Sequence, residues 1–333
     1  MPYNKRIKWK DHVVERPRTY RETENDDGSK TFTAAPGEII QQGTPQSATN
    51  FNFMEEALQH AIITIDFVSC ILQARLREKL TVQNNAGFHN SVFRGKCLGT
   101  KVTDAQWEAI RTGTFKGMFI GDYWLIGGVK YRIAAFDYWL NCGASSCTTH
   151  HSVILPDTTM RAADGSTTPW MHSSNTTENG YVGTDFYAGT NGNNGKATIL
   201  AAIEGAFGAS HILQHREYLT NSCKSGSTNV GYPTAGAWYD SKLEIMNEQM
   251  VYGCKVFGSR SAGANIPADY TIDKSQLPLF ALAPEFICNR ADWWLRDPAS
   301  AAYFAFVSSY GYCNYYSASY AYIGVRPAFG IKA

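Results

Sequence analysis

Charge is scarce in this sequence: 18% of its 333 residues are Asp, Glu, Lys or Arg, and the net charge is +1. The first 24 residues carry seven Lys/Arg against four Asp/Glu, a small basic excess. No basic stripe exists to hold a phosphate backbone, so nucleic acid is not an expected partner. A continuous apolar run of about 18 residues, the length of a membrane span, is also missing. The best candidate, "AIITIDFVSCIL", is interrupted by Asp66, and "MPYNKRIKWKDHVVERPRTY" opens the chain without a leader-like apolar core. No membrane insertion is expected, and the chain is expected to be made and kept in a cytoplasm, or to leave it inside a particle.

The eight cysteines, at 70, 97, 142, 147, 223, 254, 288 and 313, form no C-x-x-C pair. A zinc site is therefore unsupported, and reduced thiols are expected. His211 and His215 stand four apart but lack the glutamate of an H-E-x-x-H motif. His150 and His151, with Asp157 nearby, point to opposite faces if they lie on a strand. Both groups read as core histidines. "GNNGKAT" lacks the spacing of a phosphate loop. The sequence predicts no catalytic residue, no metal site and no cofactor.

Apolar residues make up 44% and aromatics 13%, so a globular, adhesive chain is expected. Residues 1–45 read as a small β appendage, with Asp27-Gly28 turning a hairpin. Residues 46–85 read as a helix with Asn52 as N-cap and Glu55 completing a capping box. Met54, Leu58, Ala61, Ile65, Val68 and Leu72 follow gaps of 4, 3, 4, 3 and 4, a heptad pattern that fits either a short self-associating coil or a helix packed on its own domain.

Beyond residue 86 the pattern is α+β with long loops. "FRGKCLGTKV" reads as a strand, Thr103 with Gln106 as a helix start, and Gly127-Gly128 as a hairpin turn. "HHSVILPD" reads as a strand. Residues 164–197 and "SGSTNVGYPTAG" read as loops, "KATILAAIEGAFG" and "DSKLEIMNEQMVYG" as helices, the second capped by Asp240 or Ser241. Residues 286–333 read as short strands joined by turns.

The window 300–323 holds seven of the 19 tyrosines in 24 residues, with five Ser and five Ala. A hairpin is expected with Tyr310-Gly311 in its turn. Phe304, Phe306, Ser308, Tyr310 and Tyr312 then share one parity and are expected to face one side. Tyrosine offers a rigid apolar ring with a hydroxyl tip, and Ser, Gly and Asn offer adaptable hydrogen bonds. That is the composition of antibody binding loops. The alternative is a β-rich core edge with buried rings, against which the adjacent pair Tyr315-Tyr316 argues.

The window is bracketed by "WWLRD", 293–297, and "GVRPAF", 324–329. This bracket with a Tyr/Ser/Asn-rich insert resembles the variable proteins of diversity-generating retroelements. The blocks from Gly99 to Asn141, 239–284 and 36–55 look like prophage tail proteins that carry this ending. The resemblance implies a C-type lectin fold, in the version shared with formylglycine-generating enzymes, over 86–333, with a variable region about 293–329. It implies a phage receptor-binding tail protein, located at the virion's tail tip, probing a host cell-surface protein or glycan. Residues 1–45 would attach to other tail or baseplate proteins, and the helix would build a homotrimer. Adenine-directed mutagenesis of AAC or AAT codons cannot produce Lys, Glu, Gln, Met or Trp, and residues 300–323 contain none of these.

By this resemblance the ligand-binding positions are Tyr303, Phe306, Ser308, Tyr310, Tyr312, Asn314, Tyr315, Tyr316, Ser317, Ser319, Tyr320 and Tyr322. Trp293, Trp294, Arg296, Gly311, Gly324, Arg326 and Pro327 would be scaffold. The related fold also suggests an oxidase using Cys288 and Cys313, without a matching motif around either. The Glu-Pro-Asn and Trp-Asn-Asp motifs of calcium-dependent sugar lectins are absent. A cellular adhesin with the same domain is the runner-up.

Overall fold

The structure is a computed structural model and describes residues 8–82, 84–143, 147–160, 171–190, 195–220, 236–257 and 275–333. Parts of the expected loops at 164–197 and 225–236, including the start of "GNNGKAT", and Cys223 lie outside these residues. The protein is α+β and folds as two compact units, Met1–Thr81 and Val82–Ala333.

In the first unit, β1 (Val13–Val14) pairs with β4 (Ile39–Gln41), while β2 (Tyr20–Glu24) and β3 (Lys30–Ala34) form the expected hairpin, running from Tyr20↔Ala34 to Glu24↔Lys30. Gly28 takes φ +82° in its turn, a conformation that glycine adopts without a Cβ clash. The helix α1 spans Ala48–Val82. It starts earlier than Asn52, which lies inside it. Ser47 is the residue at its N-terminus, its hydroxyl accepting from Asn50 N–H at 3.3 Å. Ser47 stands two residues after Pro45, and a serine is a favoured N-cap.

The side chains of Met54, Leu58, Ile65, Val68 and Leu72 on α1 are exposed, as are Ile63 and Phe67 on its other side. The stretch Ala48–Leu76 is long and apolar enough to cross a membrane by length and composition. The sequence reading found no such span because it required an unbroken run. Averaged over a helix, the apolar neighbours of Asp66 outweigh it.

The second unit opens with α2 (Ala86–His89), β5 (Cys97–Gly99) and α3 (Asp104–Arg111). The α3 capping box is formed by Thr103 and Gln106. β6 (Tyr123–Ile126) and β7 (Val129–Phe136) meet at Gly127-Gly128, both with positive φ, as a two-residue hairpin turn requires. Next come β8 (Ser152–Pro156), α4 (Asp185–Ala188) and α5 (Gly195–Phe207), which buries Ile199, Ile203 and Phe207 at helical spacing.

The segment 240–253 departs from its helical reading. Its first half completes β10 (Gly236–Ser241), which pairs with β9 (His215–Thr220), and then forms β11 (Leu243–Ile245). Only α6 (Glu248–Tyr252) is helical, capped by Asn247. Pairing of β11 with the C-terminal strand overrides local helical spacing. The remaining elements are α7 (Pro278–Leu282), β12 (Trp293–Pro298), β13 (Tyr303–Val307), β14 (Cys313–Ser317) and β15 (Pro327–Ile331).

Six strands make the main sheet, in order β11-β15-β8-β7-β6-β5, antiparallel except for β5–β6. Every residue of β8 and β15 is buried. A second sheet has the order β12-β13-β14. Trp294 N–H to Gly324 O and Arg296 N–H to Met246 O fasten β12 to the body at 2.9 and 3.0 Å. β14 is left as an edge strand, and this places the candidate site.

Candidate ligand-binding surface

The root of the β13–β14 hairpin is rigid. Trp293 and Trp294 are fully buried. Arg326, also fully buried, donates to Pro156 O at 2.8 Å and Phe286 O at 2.6 Å, with its guanidinium over the Trp293 ring. Burial pushes its pKa down to about 10, so it stays charged at neutral pH. Arg296 pairs with buried Glu217 at 2.8 Å. Burial opposes ionisation of Glu217, but Arg296 and His215 win and its pKa is pushed down to about 2.

The turn is a three-residue loop, 309–311. Ser308 N–H donates to Tyr312 O at 2.9 Å, and Gly311 N–H to Ser308 O at 2.7 Å. Gly311 has φ +90°, and a Cβ there would sit 3.2 Å from Cys288 Cβ. A positive-φ third residue is what closes such loops. Three side chains outside the hairpin hold the turn. Asp292 accepts from Ser309 N–H at 2.6 Å, the Cys288 thiol donates to Ser309 O at 3.0 Å, and Tyr252 Oη donates to Gly311 O at 3.1 Å.

Tyr310 therefore stands at the tip, 82% exposed, with Tyr312 also exposed beside it. Along β14, Tyr315 and Tyr316 are both exposed although neighbours point to opposite faces. The edge position explains this, because neither face of an edge strand is fully covered. Tyr303, Ser319 and Tyr322 are exposed, and Asn314, Ser317 and Tyr320 are half-buried. Two predicted contacts are corrected. Phe306 is 5% exposed and Ser308 4%. Phe306 lies on the central strand of its sheet, facing Trp294; Ser308 is consumed in closing the turn. The expected single face of Phe304, Phe306, Ser308, Tyr310 and Tyr312 does not exist, because both sides of β13 are covered.

The rings gather on two sides of the edge. Tyr315 lies 5.6 Å from Tyr303 and 5.0 Å from Phe257. On the other side Tyr316 lies 4.1 Å from Tyr320, which lies 5.5 Å from Tyr322. The segment 171–177 braces the open end of the hairpin. His172 N–H donates to Ala318 O at 3.0 Å, Thr177 N–H to Ala301 O at 2.9 Å, and the Ser317 hydroxyl to Asn175 Oδ1 at 2.7 Å. That brace is pinned by Asp185, which accepts from His172 Nδ1 at 2.7 Å and Ser173 N–H at 2.6 Å. Burial disfavours its charge, yet hydrogen bonds from Ser173, Thr190 and His172 hold its carboxyl well below the usual carboxylate range. Phe257 and Asn175 were not found from sequence; no local pattern marks either.

The histidine groups are accounted for otherwise. His211 lies in a 3-10 turn and His215 on β9, so they do not share a helix face. His215 bonds Glu217 at 3.0 Å and stacks on Trp139. His150 bonds Asp137 at 2.7 Å, and Asp157 pairs with Arg132. Among the described residues no three His, Cys, Asp or Glu side chains come together as a metal cage. Cys288 is exposed, and Cys313 is half-buried beside Glu248. Burial first, then Glu248, pushes the Cys313 thiol far above the ordinary range, so it holds its proton.

A family model described as a domain of unknown function, DUF6273, matches residues 228–333, a stretch that includes the whole hairpin and both of its flanking motifs. No curated protein and no solved structure matches the chain.

Proposed function

We propose that the chain is the receptor-binding tail protein of a phage or prophage, carrying a diversified Tyr/Ser surface on a C-type lectin-like domain. The observation that carries this reading is the pairing of outward tyrosines with an immobile root. Tyr303, Tyr310, Tyr312, Tyr315, Tyr316 and Tyr322 are exposed above buried Trp293, Trp294, Phe304 and Phe306. Such side chains can be exchanged without unfolding their support. Tyrosine supplies contact area at small entropic cost, and the neighbouring Ser and Asn supply polar contacts.

The exposed heptad stripe on α1 supports assembly into a homotrimer, which multiplies weak contacts at the tip into avidity. The β appendage is the attachment to tail or baseplate proteins.

Sequencing the DNA around the gene tests the reading. A reverse-transcriptase gene and a near-copy of the 300–323 coding segment, differing at adenines, are expected beside phage structural genes. Their absence would contradict diversification. The same elements without phage genes would favour the cellular adhesin.

A further inference from the structure

We propose that Phe257 is a fixed ligand-contacting side chain outside the diversified window, and that the face it shares with Tyr315 and Tyr303 docks an inserted side chain of a folded protein. This rests on the receptor-binding reading and adds to it a constant contact and a partner class.

Phe257 is placed by a buried charge. Glu248 opens α6 and is fully buried. Its carboxylate accepts the N–H of Val256 at 2.6 Å and that of Phe257 at 2.9 Å, and its own N–H donates to Asp297 at 2.6 Å. A buried carboxylate is costly unless hydrogen-bonded, so the strap 253–257 is bound to α6 as firmly as the carboxylate needs its donors. Gly253, at φ +74°, ends α6 and turns the chain back. The half-buried Phe257 ring is thereby set 5.0 Å from Tyr315 at an interplanar angle of 77°.

The shape and chemistry of this face indicate its occupant. Phe257 meets Tyr315 edge-on, and Tyr303 is tilted 40° from Tyr315. Rings so inclined form a corner that receives an inserted side chain; the flat face of a sugar ring needs a shelf. The face continues through Ser317 to Asn175, and the contacts that join these side chains are between aromatic rings and between neutral polar groups. An aromatic centre with a Ser/Asn border is the composition of a protein interface core and its rim. A ring held by the framework also gives each diversified copy one constant anchor.

The test uses the full-length protein and the cell envelope of the bacterium that carries the gene, untreated, trypsin-treated or periodate-oxidised. Apparent affinity is measured for the wild type, Phe257→Ala, Phe257→Leu and Tyr315→Ala. Phe257→Ala is expected to weaken binding about tenfold and Phe257→Leu by less, comparable to a side chain central to an interface. Should Phe257→Ala fold poorly, the Leu variant carries the comparison. Wild-type binding is expected to be lost after trypsin and kept after periodate. Unchanged binding by both Phe257 variants, with Tyr315→Ala impaired, overturns the strap's role and leaves the receptor reading intact. Periodate-sensitive, trypsin-resistant binding overturns the partner class. If the wild type binds no envelope, the receptor reading fails and this inference with it; Tyr315→Ala binding as the wild type does overturns the Phe257–Tyr315 face alone.

Discussion

Gly311 shows how one residue governs the presentation of several others. Its φ of +90° and its approach to Cys288 leave no room for a side chain. Gly311→Ala is expected to cost about 1–3 kcal/mol by denaturant unfolding and to reduce binding by displacing Tyr310 and Tyr312. Arg296→Leu would leave Glu217 buried and poorly compensated, at about 3–5 kcal/mol. Glu217 itself contributes stability that is complete above its ordinary pKa of 4.5 and is lost as pH falls through about 2. His151 acts at higher pH. Its Nδ1–H donates to Thr149 O at 2.8 Å, and Nε2 accepts from Trp139 N–H at 3.1 Å, so the imidazole must be neutral. Burial pushes its pKa down to about 3 from 6.5. The unfolded chain therefore takes up protons that the native state refuses. Stability should fall as pH drops below 6.5, by on the order of 1 kcal/mol per pH unit. His89, also lowered by burial, adds to the same slope. Unfolding free energies at pH 7 and pH 5 check this; an equal stability at both would contradict it. The exposed tyrosines were legible as residue types, because no charge accompanies them. Phe306 and Ser308 were not, since alternation along one strand does not reveal that a neighbouring strand covers its second face.

At the scale of elements, α1 is the least satisfied part of the protein. Its apolar stripe is exposed among the described residues, and burying it contributes about 25 cal/mol per Å². Full-length protein is expected to behave as a trimer by light scattering, and Leu58→Asp with Leu72→Asp as a monomer. Trimeric double variants would reject the stripe as the seam. Liposome flotation separates the membrane alternative: full-length protein should stay with the aqueous fraction. The helix was legible from its spacing, and its start was missed because Asn52 has a cap's chemistry without a cap's position. The β2–β3 hairpin and the α3 capping box were readable because their signals are local. The β11 strand was not, since it exists through a partner 84 residues away, as in Glu244↔Ala328.

The molecule as a whole separates an edge of exposed tyrosines from the sheets that hold it. That separation predicts that function can be removed without loss of fold. Replacing Tyr310, Tyr312, Tyr315, Tyr316 and Tyr322 together by Ser changes exposed side chains, each worth within about 0.5 kcal/mol of stability. The tyrosine-rich hairpin was legible in sequence, while the brace 171–177 and the strap 253–257 emerged only in three dimensions, being distant in the chain and without motif. The most direct measurement is binding of this fivefold variant to the envelope of the bacterium carrying the gene, alongside its unfolding midpoint. The account predicts a nearly unchanged midpoint and abolished binding. Wild-type binding by a folded fivefold variant would contradict it.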